Sequence, residues 1–266
     1  MENPCAHNYL LLIAYEGTSY GGWQVQTNAP SIQAVIQDVL RKILQEEVSL
    51  VGSGRTDAGV HALGQAAHFK TKKEISTHKT LASLNSLLPP DIRILSIQEV
   101  PFFFHARYSA TRKTYRYYLH ITKDPFLFPF SYHPPHPIPL DCLKSSAHHF
   151  LGTHDFTSFA HEAHRGTAAH DPVRTLFRLD VTSLGTQVIL EFEGDGFLYK
   201  MVRNITGTLL NVCAGKIKEQ DLPVILKAKD RRQAGSTAPP QGLFLVKVDY
   251  NNFFQSNRSH TSAPIS

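Results

Sequence analysis

One stretch of this chain combines residue types that can do chemistry. VGSGRTDAGVHALG, Val51 to Gly64, sets Arg55 and Asp57 two positions apart among four glycines, inside an otherwise apolar segment. A carboxylate can act as a general base or as a nucleophile, and a nearby guanidinium keeps it ionised where water is excluded. Glycines permit positive φ and a close approach of backbone to a bound molecule. Three readings fit these residues. An Arg–Asp pair on a surface turn contributes little. A phosphate loop needs a Gly-Lys-Ser/Thr terminus, or a third glycine spaced for a dinucleotide, and the stretch has neither. An active-site loop gives two charges between apolar strands a reason to be there.

A second stretch, HARYSATRKTYRYYLH from His105 to His120, interleaves Arg107, Arg112, Lys113 and Arg116 with Tyr108, Tyr115, Tyr117 and Tyr118. On a strand, Lys113, Tyr115 and Tyr117 share one face while Arg112, Arg116 and Tyr118 share the other. Cations beside flat rings suit unpaired nucleotides, with phosphates on the cations and bases stacked on the rings. The alternative is a Tyr-rich strand with a solvated edge. In FLYKMVRNITGTLL, Lys200 and Arg203 lie three apart on a predicted helix. They either reach a phosphate or an acidic site residue, or snorkel from a core helix. The histidines lack metal-site spacing. His161 and His164 miss the i, i+4 separation of a zinc-binding helix, His133 and His136 sit among prolines, and His148 and His149 are adjacent. No metal is expected, and no Gly-x-Ser-x-Gly elbow marks a serine nucleophile.

These groups need a scaffold to hold them. A chain of 266 residues suffices for one large domain or two small ones. Hydrophobic content of 42% and charged content of 18% fit a soluble globular protein, and a net charge of +5 is compatible with a polyanionic partner. The apolar run Leu10 to Ala14 is too short to span a membrane and lacks a following cleavage pattern. Cys5, Cys142 and Cys213 are odd in number and widely spaced, which argues against a disulfide framework and for a reducing, cytoplasmic setting.

Hydrophobic periodicity predicts strands at Tyr9 to Glu16, Val48 to Val51, Gly64 to Phe69, Asp91 to Val100 and Thr111 to Ile121. It predicts helices from Ile32 to Leu44, capped by Ser31, and from Leu81 to Leu88. Six prolines between Lys123 and Pro139 make that segment a connector. Beyond it come a helix from Leu140 to Leu151 and strands at Thr175 to Thr182 and Val188 to Glu193. Helices at Phe197 to Ala214 and Gln220 to Ala228 and a strand at Leu243 to Asp249 follow. The expected organisation is an N-terminal α+β half over 1–122 carrying the catalytic loop, a connector over 123–139, and a C-terminal α+β half over 140–250. A polar tail over 251–266 is expected to be disordered. The architecture is α+β, with antiparallel-rich sheets covered on one side by helices.

GRTDAGVHA resembles the signature of the tRNA pseudouridine synthase A family. YGGWQVQ, FHARYSATRKTYRYY, HDFTSF, FLYKMVRNITGTLL, AKDR and GLFLVKVDY are similar to family segments in family order, over roughly Asn8 to Tyr250. The His-rich stretch Phe159 to Pro172 and the tail after Tyr250 depart from the pattern. The resemblance implies two similar α+β halves forming one continuous, mostly antiparallel sheet, with helices on one side and a central cleft. It implies a cofactor-free enzyme that isomerises uridine to pseudouridine in the tRNA anticodon stem-loop, at positions 38 to 40. It also implies a homodimer gripping one tRNA across both subunits. Asp57 matches the family's essential aspartate, acting as nucleophile or base. Arg55 would pair with it or help expel the target nucleotide, Tyr115 would stack on the target base, and Arg203 would hold the aspartate. Arg107, Arg112, Lys113 and Lys200 are the expected substrate-binding cations. The rival is a non-catalytic RNA-binding protein that uses residues 105–120 and in which the glycine loop is only a turn.

Overall fold

Alternation along β1 (His7–Tyr15) places Tyr9, Leu11, Ile13 and Tyr15, all buried, on one face of a sheet. The protein is described by a computed structural model covering residues 7–161 and 171–251. The same face carries Tyr115, Tyr117 and Leu119 of β5 (Ala110–His120) and Val188, Leu190 and Phe192 of β8 (Gln187–Gly194). The remaining strands are β2 (Leu50–Gly52), β3 (His61–Thr71), β4 (Ile92–Glu99), β6 (Gly152–Asp155), β7 (Val173–Leu184) and β9 (Leu243–Tyr250). They form a single sheet in the order β4-β1-β3-β9-β5-β8-β7-β6, with β2 on β3.

The helices α1 (Ile32–Leu44), α2 (Thr77–Leu87), α3 (Leu140–Ala147), α4 (Met201–Cys213) and α5 (Leu222–Ala228) all bury their apolar faces in the core on that one side. In α1 the buried Ile32, Ile36, Val39, Leu40 and Leu44 follow the 3.6-residue period, and the Ser31 hydroxyl accepts from the Ala34 amide as the sequence predicts. The fold is α+β with a continuous, mostly antiparallel sheet. Among the described strands the parallel junction, β3 with β9, is short: His61 pairs with Phe244 and Ala62 with Leu245. All of β5's strand partners, β8 and β9, lie beyond residue 186.

The opposite face is covered where β1 and β3 meet. Val100, Phe104 and Ala106 of the loop after β4 pack there on Leu10 and Ala66. The Asn8 side chain donates to the Phe104 carbonyl at 3.0 Å, and His68 Nδ1 accepts from the Ala106 amide at 3.1 Å.

Some sequence expectations shift. Helix α2 begins at Thr77, because polar residues ahead of Leu81 complete its first turn. The helix expected to run to Leu151 ends at Ala147 and continues as a single 3₁₀ turn. Helix α4 begins only at Met201, because Lys200 adopts a left-handed φ of 62°. The short β6 went unpredicted, since four residues carry no usable period. The central part of the His-rich stretch, 162–170, and the tail from 252 lie outside the described residues.

Candidate active site

The loop from Ser53 to Val60 links β2 to β3 beside the short β3–β9 junction. Its backbone is tied down at nearly every residue. The Ser53 amide donates to the Ala66 carbonyl at 2.7 Å and its hydroxyl to Gln65 Oε1 at 2.8 Å. Gln65 Nε2 donates to the Gly54 carbonyl at 3.0 Å, and Lys113 Nζ to the Ser53 carbonyl at 2.6 Å. The Thr56 hydroxyl meets the buried Tyr15 hydroxyl at 2.8 Å, while the Trp23 amide donates to the Thr56 carbonyl at 3.1 Å. The Val60 amide closes a turn on the Asp57 carbonyl at 3.2 Å, with Gly59 at a φ of 76°.

The segment that brings Trp23 must come very near. Gly22 has a φ of 102°, and a Cβ there would stand 2.4 Å from the Thr56 carbonyl oxygen. The Gly22–Trp23 segment therefore forms a floor under the loop.

Asp57 receives its partner from the other half of the chain. Arg203, in the first turn of α4, donates from Nη1 to Asp57 Oδ2 at 2.7 Å, and both side chains are almost buried, at 11% and 13% exposure. Its Nε donates to the Ala238 carbonyl at 2.8 Å, and the Ala238 amide returns a bond to the Arg203 carbonyl at 3.0 Å. The guanidinium is thus fixed at two points. Among the described residues Asp57 Oδ1 has no hydrogen-bond partner. One carboxylate oxygen is clamped and the other remains free to act.

Aromatic rings surround this pair. Tyr115 lies buried on β5, edge-on to Phe197 with centroids 5.0 Å apart. Burial above all, then the nearby Tyr15 and the Asp57 charge, push its phenol well above the ordinary tyrosine range, so it stays protonated. Tyr199, just before α4, is partly exposed, and its phenol is pushed up by burial and then by Asp57. Lys113 is pushed down to about 8, by burial first and then by Arg107 and Arg174. This ammonium, with lowered proton affinity, holds the Ser53 carbonyl of the loop.

The structure sorts the cations expected at the site. Asp57 and Arg203 are paired, Tyr115 of β5 lies within reach of the Asp57 charge, and Lys113, on the same face of β5, holds the Ser53 carbonyl. Arg55 is exposed and does not pair with Asp57; among the described residues it has no ion pair. Lys200 does not share a helical face with Arg203, because its left-handed backbone puts it ahead of α4, with Nζ 5.3 Å from the Tyr199 ring centroid. Arg112 lies on the opposite face of β5, paired with Glu193 at 2.9 Å and resting on Phe177. Arg107 is exposed beside the exposed Tyr108 ring. Tyr15, Trp23, Gln65, Phe197 and Tyr199 escaped the sequence reading. A glutamine inside the apolar strand GQAAHF was the one available signal, since a buried amide needs partners.

A family model described as tRNA pseudouridine synthase matches residues 11–109 and 146–251. Asp57, Arg55 and Arg203 fall within the matched residues, whereas Tyr115, Arg112 and Lys113 lie between the two segments. The chain is 56% identical over 249 residues to tRNA pseudouridine synthase A 1 of Protochlamydia amoebophila, covering 92% of this chain and 97% of that one. It is 46% identical over 245 residues to tRNA pseudouridine synthase A of Caldicellulosiruptor saccharolyticus, covering 91% and 99% respectively.

Proposed function

The chain belongs to the tRNA pseudouridine synthase family, and from that premise we propose that Asp57 is the residue on which its isomerisation of uridine to pseudouridine in tRNA turns. The reaction breaks the N1–C1′ glycosidic bond, rotates the detached base and joins C5 to C1′. A single carboxylate oxygen serves it by either of two routes, attack at carbon or removal of a proton from the sugar. The Oδ1 of Asp57, without a hydrogen-bond partner among the described residues and opposite an oxygen clamped by Arg203, is the observation that carries this assignment.

The other roles follow from position. Arg203 pairs with the carboxylate and aims it. Tyr115 stacks on the uracil while it is free to turn, its protonated phenol adding no charge to the cleft. A base inside a helix cannot present C5 and C1′, so the target nucleotide leaves its stack. Exposed Arg55, at the tip of the loop and unpaired with Asp57, is available to enter the space vacated. Arg107 and Tyr108 offer a cation and a ring to the RNA, and Lys113 acts by holding the Ser53 carbonyl. Lys200 and Arg112 are proposed as outlying phosphate contacts, Arg112 from the far face of the sheet.

The same proposal assigns the anticodon stem-loop, positions 38 to 40, as the site of modification. It includes a homodimer that grips one tRNA across both subunits, and a cytoplasmic setting. No described helix is long and apolar enough to cross a membrane. The non-catalytic RNA-binding alternative gives way to the enzyme on family membership.

Release of tritium from 5-tritiated uridine in unmodified tRNA transcripts tests the role of Asp57. The intact protein should release it. Asp57→Ala should release none while keeping its affinity for tRNA within a few-fold. Loss of binding together with turnover would move Asp57 to a structural role, and continued release would remove it from the chemistry.

A further inference from the structure

Two thiols meet at the end of α4 remote from Arg203. Cys142 lies in the first turn of α3 and Cys213 is the last residue of α4. Their sulfurs are 3.2 Å apart, with the Cys213 thiol donating to Cys142 Sγ. Both are free and half-buried, and the helices carrying them pack together. The groups arranged around Asp57 make no use of either one.

We propose that Cys142 and Cys213 are a redox-modification site, closing to a reversible intramolecular disulfide when the protein meets a peroxide. A disulfide bond is about 2.0 Å long. The sulfurs need to approach by only about 1 Å, which side-chain rotation at two helix ends supplies. Among the described residues no third histidine, cysteine or carboxylate joins them in a metal-holding group, so the pair is equipped for thiol chemistry rather than for a metal.

The order of events follows from the surroundings. Cys142 Sγ accepts the Cys213 thiol hydrogen, and an accepted hydrogen bond favours a thiolate at that sulfur, so Cys142 is the first to attack. The Cys142 thiolate takes the near oxygen of hydrogen peroxide, breaking the O–O bond. This gives a sulfenic acid at Cys142 and releases hydroxide. Cys213 sulfur then attacks the sulfenic sulfur, the S–O bond breaks, and the Cys213 proton leaves with the departing hydroxide as water. In sum, two thiols lose two electrons and two protons while one peroxide becomes two waters.

The bond would join residues 71 positions apart, tying α3 to the C-terminal end of the helix whose first turn holds Arg203. Closing a loop of that length restricts the unfolded chain and stabilises the folded one. A transient disulfide of this kind is compatible with a reducing compartment, where structural disulfides are not.

The test uses the full chain. Protein reduced with dithiothreitol and desalted is treated with hydrogen peroxide, its remaining thiols are alkylated, and it is digested without reduction for mass spectrometry. The expected product is a peptide pair joined through Cys142 and Cys213, two hydrogens lighter than the sum of its parts and separated again by dithiothreitol. The oxidised protein should run as a monomer on a non-reducing denaturing gel and melt several degrees above the reduced form. Cys142→Ser should abolish both the link and the shift. Alkylation of both cysteines after treatment, a link from either to Cys5, or a sulfinic acid at Cys142 without a link would overturn the proposal. Tritium release is independent of every one of these outcomes.

Discussion

Arg203 reaches Asp57 from 146 positions away, and the contact makes the carboxylate both available and constrained. The pair is nearly dry, so neither charge is indifferent to loss of the other. Arg203→Met leaves the Asp57 carboxylate uncompensated and frees the Ala238 carbonyl. It should cost about 3 kcal/mol of stability, read from urea unfolding, besides removing most turnover. A variant as stable as the parent would show that water reaches the pair freely. Arg55 stands in contrast. Being exposed and unpaired with Asp57, it should be replaceable with little effect on folding, and its proposed role lies with the RNA.

At the scale of elements, the loop is held from beneath. The floor is the Gly22–Trp23 segment. Gly22→Ala must relieve a Cβ placed 2.4 Å from the Thr56 carbonyl oxygen at a φ of 102°. A loss of about 2 kcal/mol is expected, together with a loss of turnover because Asp57 follows Thr56. Thermal melts and single-turnover rates would check both, and an unaltered rate would detach the floor from the chemistry.

The segment after β4 is held by a different device, the neutral ring of His68 accepting from Ala106. Burial first, then the charges of His105 and Lys70, push His68 from 6.5 down to about 4. Between those pH values the unfolded chain binds a proton that the folded protein refuses. The stability His68 contributes is therefore complete above 6.5 and is lost as the pH falls toward 4, at up to about 1.4 kcal/mol per pH unit. Urea unfolding from pH 7 to 4.5 should show this decline, and His68→Gln should flatten it. Equal slopes in the two proteins would remove His68 as the source.

For the whole molecule, one sheet runs through both halves, yet only two residue pairs join β3 to β9. That short junction sets the loop of one half against α4 of the other. The proposed homodimer belongs to this scale. Sedimentation equilibrium should return a mass about twice 29.8 kDa, and a monomer at micromolar concentration would confine the RNA to a single subunit's surface.

Much of this was legible in the chain. Period-2 and period-3.6 patterns located β1, β5, β8 and α1 because each buries one face, and burial is what those patterns record. The parity of β5 correctly separated Lys113, Tyr115 and Tyr117 from Arg112, since side chains alternate whatever the strand packs against. The glycine-fenced Arg55-Thr56-Asp57 marked the candidate site for the same local reason. For the partner of the aspartate the residues gave no local signal, and only the family resemblance pointed to Arg203, which the folded chain pairs with it. The nearest cation in sequence points to solvent, while the one that pairs arrives on a helix from the other half. No local pattern encodes a contact across 146 residues. The place of Lys200 was equally hidden, because one residue with positive φ moves it off the helix that its spacing implied. Sequence specified which groups were present and which faces were apolar. Only the folded chain, by closing its two halves at a two-pair junction, determined which charges met.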